Sequence, residues 1–435
     1  LKVHLKALGC RLNEAELEHW SQQFQASGHK ICSDQDEPDL LVLNTCSVTA
    51  AAGRKSRQLI RRLHRDNPTA KLVITGCHAS LNAEETADQL GVDLVVSNAQ
   101  KDNLASIAQQ ELSLPSMPLS ATEPGDIALY SRGRHRAFIK VQDGCRYRCT
   151  YCIVTLARGD ERSRTITDIV TDIRRFHDQG ILEAVLTGVH VGGYGSDTGS
   201  SLSNLIQAIL DDTDIPRLRL ASVEPWDLPE DFFKLFNNPR LMPHMHLPLQ
   251  SGSDSVLRRM ARRCKTVNFS TLVDKAHDAV ADFNITTDVI AGFPGETESE
   301  WEETMRFVEA QKFGRLHIFP FSSRQGTKAA GLPDQISKAV KRQRCKALAS
   351  LDERARQRSM SRLLDTTQEV LWEKPSPAEV DGRVTYSGYT PNYQRVQTTV
   401  SKDTPLEYRI APVFLSDFDP QAQMLCGKIK KPLVV

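Results

Sequence analysis

Short runs rich in apolar residues over 2–8, 39–43, 71–75 and 92–97 alternate with segments whose apolar positions recur at helical spacing, over 13–27, 50–67 and 83–90. Strands alternating with helices imply parallel pairing in an α/β layer. The period disappears over 113–135, a stretch rich in Pro and Ser that reads as a linker. It returns with strands over 137–142, 183–187, 217–222, 244–247, 286–291 and 315–319. Helices are expected between them at 166–179, 202–211, 229–236, 254–262, 269–283 and 298–310. Six strand–helix repeats are too few for a closed eight-stranded barrel. Residues 337–364 lack Pro and Gly and read as one long amphipathic helix. Beyond 366, short runs at 369–373, 382–386, 395–400, 412–415 and 424–429, separated by Pro, Gly and Asp turns, predict a small β-barrel. The chain is thus α/β, with an N-terminal domain over 1–112, a linker over 113–135, a central domain over 136–335, a connecting helix over 336–365 and a β domain over 366–435.

Composition changes this picture little. Apolar content of 40% and charged content of 25% are those of an ordinary soluble globular protein. No apolar run approaches the roughly 20 residues that span a bilayer, so no membrane association is expected. A net charge of +1 neither implies nor excludes nucleic acid. The ten cysteines matter more. The first residues read as a strand without the features of a signal peptide, so the cysteines point to metal or redox chemistry in a reducing, cytoplasmic setting.

Three of them crowd the stretch Asp143-Gly144-Cys145-Arg146-Tyr147-Arg148-Cys149-Thr150-Tyr151-Cys152. Thiolates this close converge on one centre. Three do not close a tetrahedral zinc site, which takes four ligands. They suit a cubane iron–sulfur cluster with one iron left open. A disulfide or zinc knuckle is the alternative. Cys10, Cys46 and Cys77 each fall directly after a predicted strand. Carboxyl ends of parallel strands share one edge of a sheet, where ligands bind. A second three-cysteine cluster site is therefore expected there, the alternative being three separate buried thiols. Cys32, Cys264, Cys345 and Cys426 lie outside both triplets and read as packing thiols.

The spacing of Cys145, Cys149 and Cys152, with Tyr151 before the last, resembles the signature of radical S-adenosylmethionine (SAM) enzymes. Leu8-Gly9-Cys10-Arg11-Leu12-Asn13-Glu14, Asn44-Thr45-Cys46-Ser47-Val48-Thr49 and Thr75-Gly76-Cys77 resemble the N-terminal domain of the methylthiotransferases. The resemblance covers nearly the whole chain. It implies an open partial (βα)6 barrel in the centre and a TRAM-like RNA-binding domain at the end. It also implies two [4Fe-4S] clusters, auxiliary on Cys10, Cys46 and Cys77 and radical-generating on Cys145, Cys149 and Cys152. The implied reaction uses two SAM, one to methylate a sulfur and one to make a 5′-deoxyadenosyl radical. The acceptor is carbon 2 of an adenosine in the tRNA anticodon stem-loop, with electrons from an external donor and a monomeric enzyme.

Arg-Leu-Asn after Cys10 and Thr187-Gly188-Val189-His190-Val191-Gly192-Gly193-Tyr194-Gly195 look most like the branch acting on N6-threonylcarbamoyladenosine. The isopentenyladenosine branch and the branch acting on a ribosomal-protein aspartate remain alternatives, as does a non-catalytic iron–sulfur RNA-binding protein. SAM contacts are expected at Tyr151, Gly188, Ser222, Glu224, Gln250 and Asp288, although Glu224 and Asp288 read equally as structural acids. Candidate substrate contacts are Asn13, Arg158, Arg164, Tyr389 and Tyr393. Arginine matches a carboxylate or phosphate bidentately, and tyrosine stacks on unpaired bases. The tyrosines otherwise read as packing. The basic run Arg54, Lys55, Arg57, Arg61, Arg62 and Arg65 reads as a solvated face or an RNA-facing one, and Lys428, Lys430 and Lys431 as phosphate contacts.

Overall fold

A computed structural model describes residues 1–33, 36–88, 91–114 and 136–429. Most of the expected linker, together with Lys430 and Lys431, lies outside the described residues.

The N-terminal part runs β1 (Lys2–Ala7), α1 (Arg11–Ala26), β2 (Lys30–Ile31), β3 (Leu40–Thr45), α2 (Ala50–Asp66), β4 (Lys71–Gly76), α3 (Cys77–Leu81), α4 (Ala83–Ala87), β5 (Leu94–Val95) and α5 (Leu104–Glu111). Its sheet is parallel in the order β2-β1-β3-β4-β5. Every residue of β3 is buried, its Leu-Leu-Val-Leu run suiting a central parallel strand covered on both faces. The expected strand over 92–97 shrinks to the two residues of β5, because Asp93 turns its carboxylate back onto the Leu72 amide and Lys71.

The centre contains β6 (Arg136–Lys140), β7 (Gln142–Asp143), α6 (Val154–Arg158), β8 (Arg162–Ser163), α7 (Ile166–Asp178), β9 (Glu183–Thr187), α8 (Leu202–Asp212), β10 (Arg217–Leu220), β11 (His244–His246), α9 (Asp254–Arg259), α10 (Thr266–Ala279), β12 (Asn284–Ala291), α11 (Glu298–Ala310) and β13 (Arg315–Pro320). Parallel sheets β10-β9-β6 and β11-β12-β13 are joined by single bridges, Leu218 to Leu241 and Ser222 to His246. The result is an open barrel whose edge strands are β6 and β13. The helix expected over 229–236 is a 3-10 turn at Phe232–Asn237. There Phe232, Phe233 and Phe236 are all buried, and a Pro follows two residues after the turn.

Helix α12 (Lys338–Ser361) packs on β13 and leads to β14 (Thr367–Val380), β15 (Arg383–Tyr389), β16 (Arg395–Ser401), β17 (Ile410–Asp419) and β18 (Met424–Lys428). These close into a barrel in the order β14-β15-β16-β18-β17 around Trp372, Val396, Leu415 and Leu425. β14 is far longer than its predicted apolar run, with bulges near Pro375 that carry its exposed half away from the core.

This barrel docks beneath the central one. Arg217 donates to the carbonyls of Tyr389 (3.1 Å) and Glu369 (2.7 Å), Arg219 to that of Pro391 (2.9 Å), and Asn284 to that of Asn392 (2.7 Å). Glu183, fully buried, holds the arginines in place, with Arg219 at 2.9 Å and Arg136 at 3.1 Å. Burial alone would raise the pKa of Glu183, but Arg219 and Arg136 bring it down to about 2. A depressed carboxylate stabilises the fold above its unfolded value of 4.5 and loses that contribution as pH falls towards 2. Melting temperature is therefore expected to drop across this acid window, and Glu183→Gln to melt lower at neutral pH with a shallower acid slope. An unchanged slope in the variant would remove Glu183 from this role.

Candidate active site

The loop carrying Cys145, Cys149 and Cys152 leaves the barrel at the carboxyl end of its first strand, β6, as expected. Gly144 has φ +70°, and a Cβ there would meet the Asp160 carbonyl oxygen at 1.9 Å, so only glycine lets the loop pass this close. The loop is pinned on several sides. Cys145 N donates to Gly159 O (3.1 Å), Thr150 N to Met260 O (3.0 Å), and Ala329 N to Thr150 O (2.8 Å). All three thiols are free and half-buried. Burial pushes Cys145 up to about 12 and Cys152 up to about 11, so without a metal they stay protonated at neutral pH. A cation that displaces those protons is what this donor set fits.

Cys10, Cys46 and Cys77 follow β1, β3 and β4, which are adjacent in the sheet. Cys46 and Cys77 are buried, while Cys10 opens towards the barrel. Burial, reinforced by the neighbouring Cys10 and Cys77, raises the Cys46 thiol to about 11. Gly9 (φ +122°) lies so close that its added Cβ would sit 2.6 Å from Cys46 Cβ and 2.9 Å from Cys46 Sγ. Gly9→Ala is expected to lower iron content after reconstitution while leaving far-ultraviolet circular dichroism unchanged. Full iron loading would show that Cys46 has room to give.

The two triplets are held together by buried charge. Arg158 donates to Glu16 (2.9 Å), to Asp143 beside the Cys145 loop (3.0 Å) and to Asn13 beside Cys10 (2.8 Å). Lys101 pairs with Glu16 and with Asp143 (2.8 Å), and Lys140 with Asp143 (3.1 Å). Asn44, next to Cys46 in the chain but for one residue, donates to Glu16 at 2.7 Å. Asn13 also donates to Leu8 O (2.8 Å) and Thr45 O (3.3 Å), tying the Cys10 and Cys46 loops. Arg324 reaches Ser47 at 2.6 Å from the loop after β13.

Around the Cys145 loop, the Gln142 side chain accepts from the amides of Val189 (3.1 Å) and His190 (2.8 Å) and donates to Gly144 O (2.7 Å). It fixes the Gly188 strand end to the cysteine loop. His190 bonds Glu161 on one nitrogen and Asp227 (2.6 Å) on the other. Burial opposes its protonation, but Asp227, Glu224 and Glu161 outweigh burial and raise its pKa. With both nitrogens engaged it is a positioning group, although it lies near Cys145. Arg262 stacks on Trp226 at 4.3 Å and approaches Cys149 Sγ at 4.0 Å. Glu224 is largely buried, and its Oε2 has no hydrogen-bond partner among the described residues, His190 Nε2 standing 3.8 Å away. It is an acceptor suited to an ammonium group. Burial raises its pKa, against His190 and Arg262. Gln250 takes a positive φ (+78°) and bonds the Asp288 carbonyl (2.8 Å), while Asp288 faces His246 at 3.2 Å. Tyr151 packs against the apolar cluster that contains Met260, Phe293 and Phe321.

A cavity of about 1000 Å³ runs through the barrel from the Cys10 loop to the C-terminal barrel. Cys10, Gly188, Ser222 and Asp288 line one region, and Tyr389 and Tyr393 another. Gly188, Ser222 and Asp288 thus come together, with Gln250 against Asp288.

The candidate substrate contacts fare differently. Arg158 is only 3% exposed, with its guanidinium bonded to two carboxylates and an amide. Asn13, at 1%, orders cysteine loops. Arg164 donates to Lys140 O (3.0 Å) and Asp172 (2.7 Å) on α7. Tyr389 and Tyr393 stack on each other at 4.7 Å, with Arg136 over Tyr389 (4.3 Å) and Arg219 over Tyr393 (4.6 Å). These are the amino-terminal ends of the strands, opposite the cysteines, and the ring faces are covered. The Arg54–Arg65 helix face is mostly exposed, Arg62 and Arg65 bridging Asp66. His190 stands in the strand-end motif already singled out, whereas Gln142, Glu16 and Arg262 were not expected as site residues. Of these three, only Gln142 had a local signal, being one residue ahead of the cysteine motif.

A cysteine-bearing loop after the first strand of an open six-stranded parallel barrel defines a radical SAM protein. Residues 139–308 match the Radical SAM superfamily, and residues 2–97 match a group described as Uncharacterized protein family UPF0004. The threonylcarbamoyladenosine tRNA methylthiotransferase MtaB of Chlamydia pneumoniae is 38% identical over 399 residues, 91% of this chain and 91% of its own. That of Bacillus subtilis (strain 168) is 34% identical, covering 91% of this chain and 89% of its own. The chain belongs to the MtaB family of radical SAM methylthiotransferases. An iron–sulfur cluster and SAM are the cofactors of a radical SAM protein. In fold, the chain resembles the radical S-adenosylmethionine methyltransferase TsrM from Kitasatospora setae. The TM-score is 0.57 over 76% of this chain and 77% of that one, at 17% identity. Among the described residues, no helix is long and apolar enough to cross a membrane.

Proposed function

We propose that the chain replaces the hydrogen on carbon 2 of N6-threonylcarbamoyladenosine, beside the tRNA anticodon, with a methylthio group. It would use two SAM, two [4Fe-4S] clusters and an external electron donor. The observation that carries this reading is the single cavity onto which Cys10 and the barrel's strand-end residues open. It lies at the upper end of the usual size for ligand pockets, about 300–1000 Å³, and leaves room for a nucleoside beside SAM. When bound, the clusters and SAM supply reductive C–S bond cleavage and a methylated sulfur, chemistry that side chains cannot provide.

The chain's own residues bind and orient. Cys145, Cys149 and Cys152 hold one cluster, and Cys10, Cys46 and Cys77 the other. Gln142 fixes the Val189 and His190 amides at the strand end where the SAM amino group belongs. Glu224 offers its free Oε2 to that ammonium. Asp288, kept in place by His246, and Ser222 face the same cavity. The Arg158 network keeps the cysteine loops at a fixed separation, which matters because reacting groups must meet within about 3–3.5 Å.

Nucleoside mass spectrometry of tRNA from a strain lacking this gene tests the reading. Threonylcarbamoyladenosine should accumulate without its methylthio group. Persistence of the methylthiolated form, with no second family member present, would refute it.

A further inference from the structure

β13 closes one side of the open barrel and, among the described residues, pairs only with β12. Its side chains alternate. Leu316 and Ile318 pack into the central core, while Arg315, His317 and Phe319 are exposed into the cavity that Cys10 also lines. Phe319 shows 42% of its surface, which is unusual for an aromatic residue inside a cleft. Most cations around this cavity are committed: Arg11 to Glu14 (3.1 Å), Arg219 to Glu183 (2.9 Å) and Arg356 to Asp352 (3.2 Å). Arg315 is not. Its side chain makes no hydrogen bond or ion pair among the described residues, nor does that of Arg395, which enters the cavity from β16. The His317 ring meets the edge of His246 at 5.2 Å and is likewise without a hydrogen-bond partner there.

We propose that this stripe is the subsite that reads the substituent on the target base, with Phe319 covering a base face and Arg315, aided by His317 and Arg395, taking a carboxylate at the substituent's far end. The inference rests on the function proposed above and assigns its specificity to named residues. The direction of the strand supports it. Phe319 lies towards the carboxyl ends of the barrel strands, where the cysteines are, and Arg315 lies towards the amino-terminal ends. At about 3.3 Å per residue the two are separated by about 13 Å along the strand, a span that accommodates a purine and an acyl extension. A base whose C2 is turned to the cysteines directs its N6 substituent elsewhere, and the strand leads it to Arg315. An apolar substituent would leave two cations unpaired in the cavity, whereas a carboxylate pairs with guanidinium bidentately.

Free guanidinium groups also take phosphate, so the test separates the two sources of negative charge. Reconstituted holoenzyme is titrated with an anticodon stem-loop carrying N6-threonylcarbamoyladenosine and with the same RNA whose carboxylate has been converted to the neutral amide. Wild type should bind the acid about tenfold more tightly, the scale of a hydrogen bond to a charged group. Arg315→Met should lose most of that preference, with affinity for the amide RNA unchanged and with wild-type iron content and melting temperature. Arg395→Met should lose part of it. A wild type without preference, or an Arg315→Met variant that weakens both RNAs equally, overturns the subsite, the second result marking a phosphate contact. Product analysis on the same RNA keeps the layers apart. If wild type leaves the acid RNA unmodified, the proposed function fails and this inference with it. If it methylthiolates that RNA but the ratio is unmoved by Arg315→Met, only the subsite fails.

Discussion

Cys46→Ala is expected to remove about one cubane of iron from the reconstituted protein and to abolish methylthio transfer, while SAM cleavage at the other cluster continues. The reason lies in the sheet. β1, β3 and β4 are neighbours in parallel register, with Ala7 opposite Asn44 and Thr45 opposite Gly76. The residues that follow these strands must therefore sit side by side. Cys46 is the middle one, buried against Gly9 and electrostatically sensitive to both other thiols. Losing it leaves two ligands, too few for a cubane. The Cys145 loop has its own anchors in Gly159, Met260 and Ala329, so its function should survive. Iron analysis together with 5′-deoxyadenosine and methylthio-nucleoside assays reads all three consequences. An unchanged iron content would mean that the three strand ends do not form one site.

Arg158→Met is expected to cost about 3 kcal/mol, the low end of the penalty for breaking a buried ion pair. Lys101 and Lys140 remain to neutralise part of the charge on Glu16 and Asp143. Because Arg158 touches Asn13, Glu16 and Asp143 at once, its loss should also loosen the Cys10 loop against the Cys145 loop. Transfer of the methylthio group should then fall more than SAM cleavage does. Lysine cannot replace the forked guanidinium, so Arg158→Lys should recover little. Thermal melting read beside RNA affinity separates this from a ligand-binding role. A variant that melts like wild type but binds RNA poorly would contradict it.

How much of this was legible in the sequence depends on how local the signal is. The Cys145 triplet is written in ten consecutive residues, and its place after the first barrel strand followed from the apolar runs. The N-terminal triplet needed only the rule that parallel strands end on one edge, and the structure puts its cysteines after adjacent strands. Arg158 shows what local reading does not reach. Beside a cysteine motif an arginine reads as an anion receptor, and its buried partner Glu16 lies 142 residues away, with nothing nearby to announce it. Tyr389 and Tyr393 are alike in this. Their sequence context is a rim of a small barrel, and the contacts of their rings with Arg136 and Arg219 show only once the chain is folded. Arg315 and His317 passed unnoticed because an edge strand is defined by what does not pair with it, which only the assembled barrel shows.

The central claim is that two cysteine triplets serve one cavity in which a tRNA adenosine is methylthiolated. The most direct measurement supplies reconstituted enzyme with reductant, SAM and an anticodon stem-loop bearing N6-threonylcarbamoyladenosine, and follows nucleosides and 5′-deoxyadenosine by mass spectrometry. The predicted result is a nucleoside that has exchanged its C2 hydrogen for a methylthio group, formed together with 5′-deoxyadenosine. Abundant 5′-deoxyadenosine with the RNA left unmodified, in protein that carries both clusters, would contradict it.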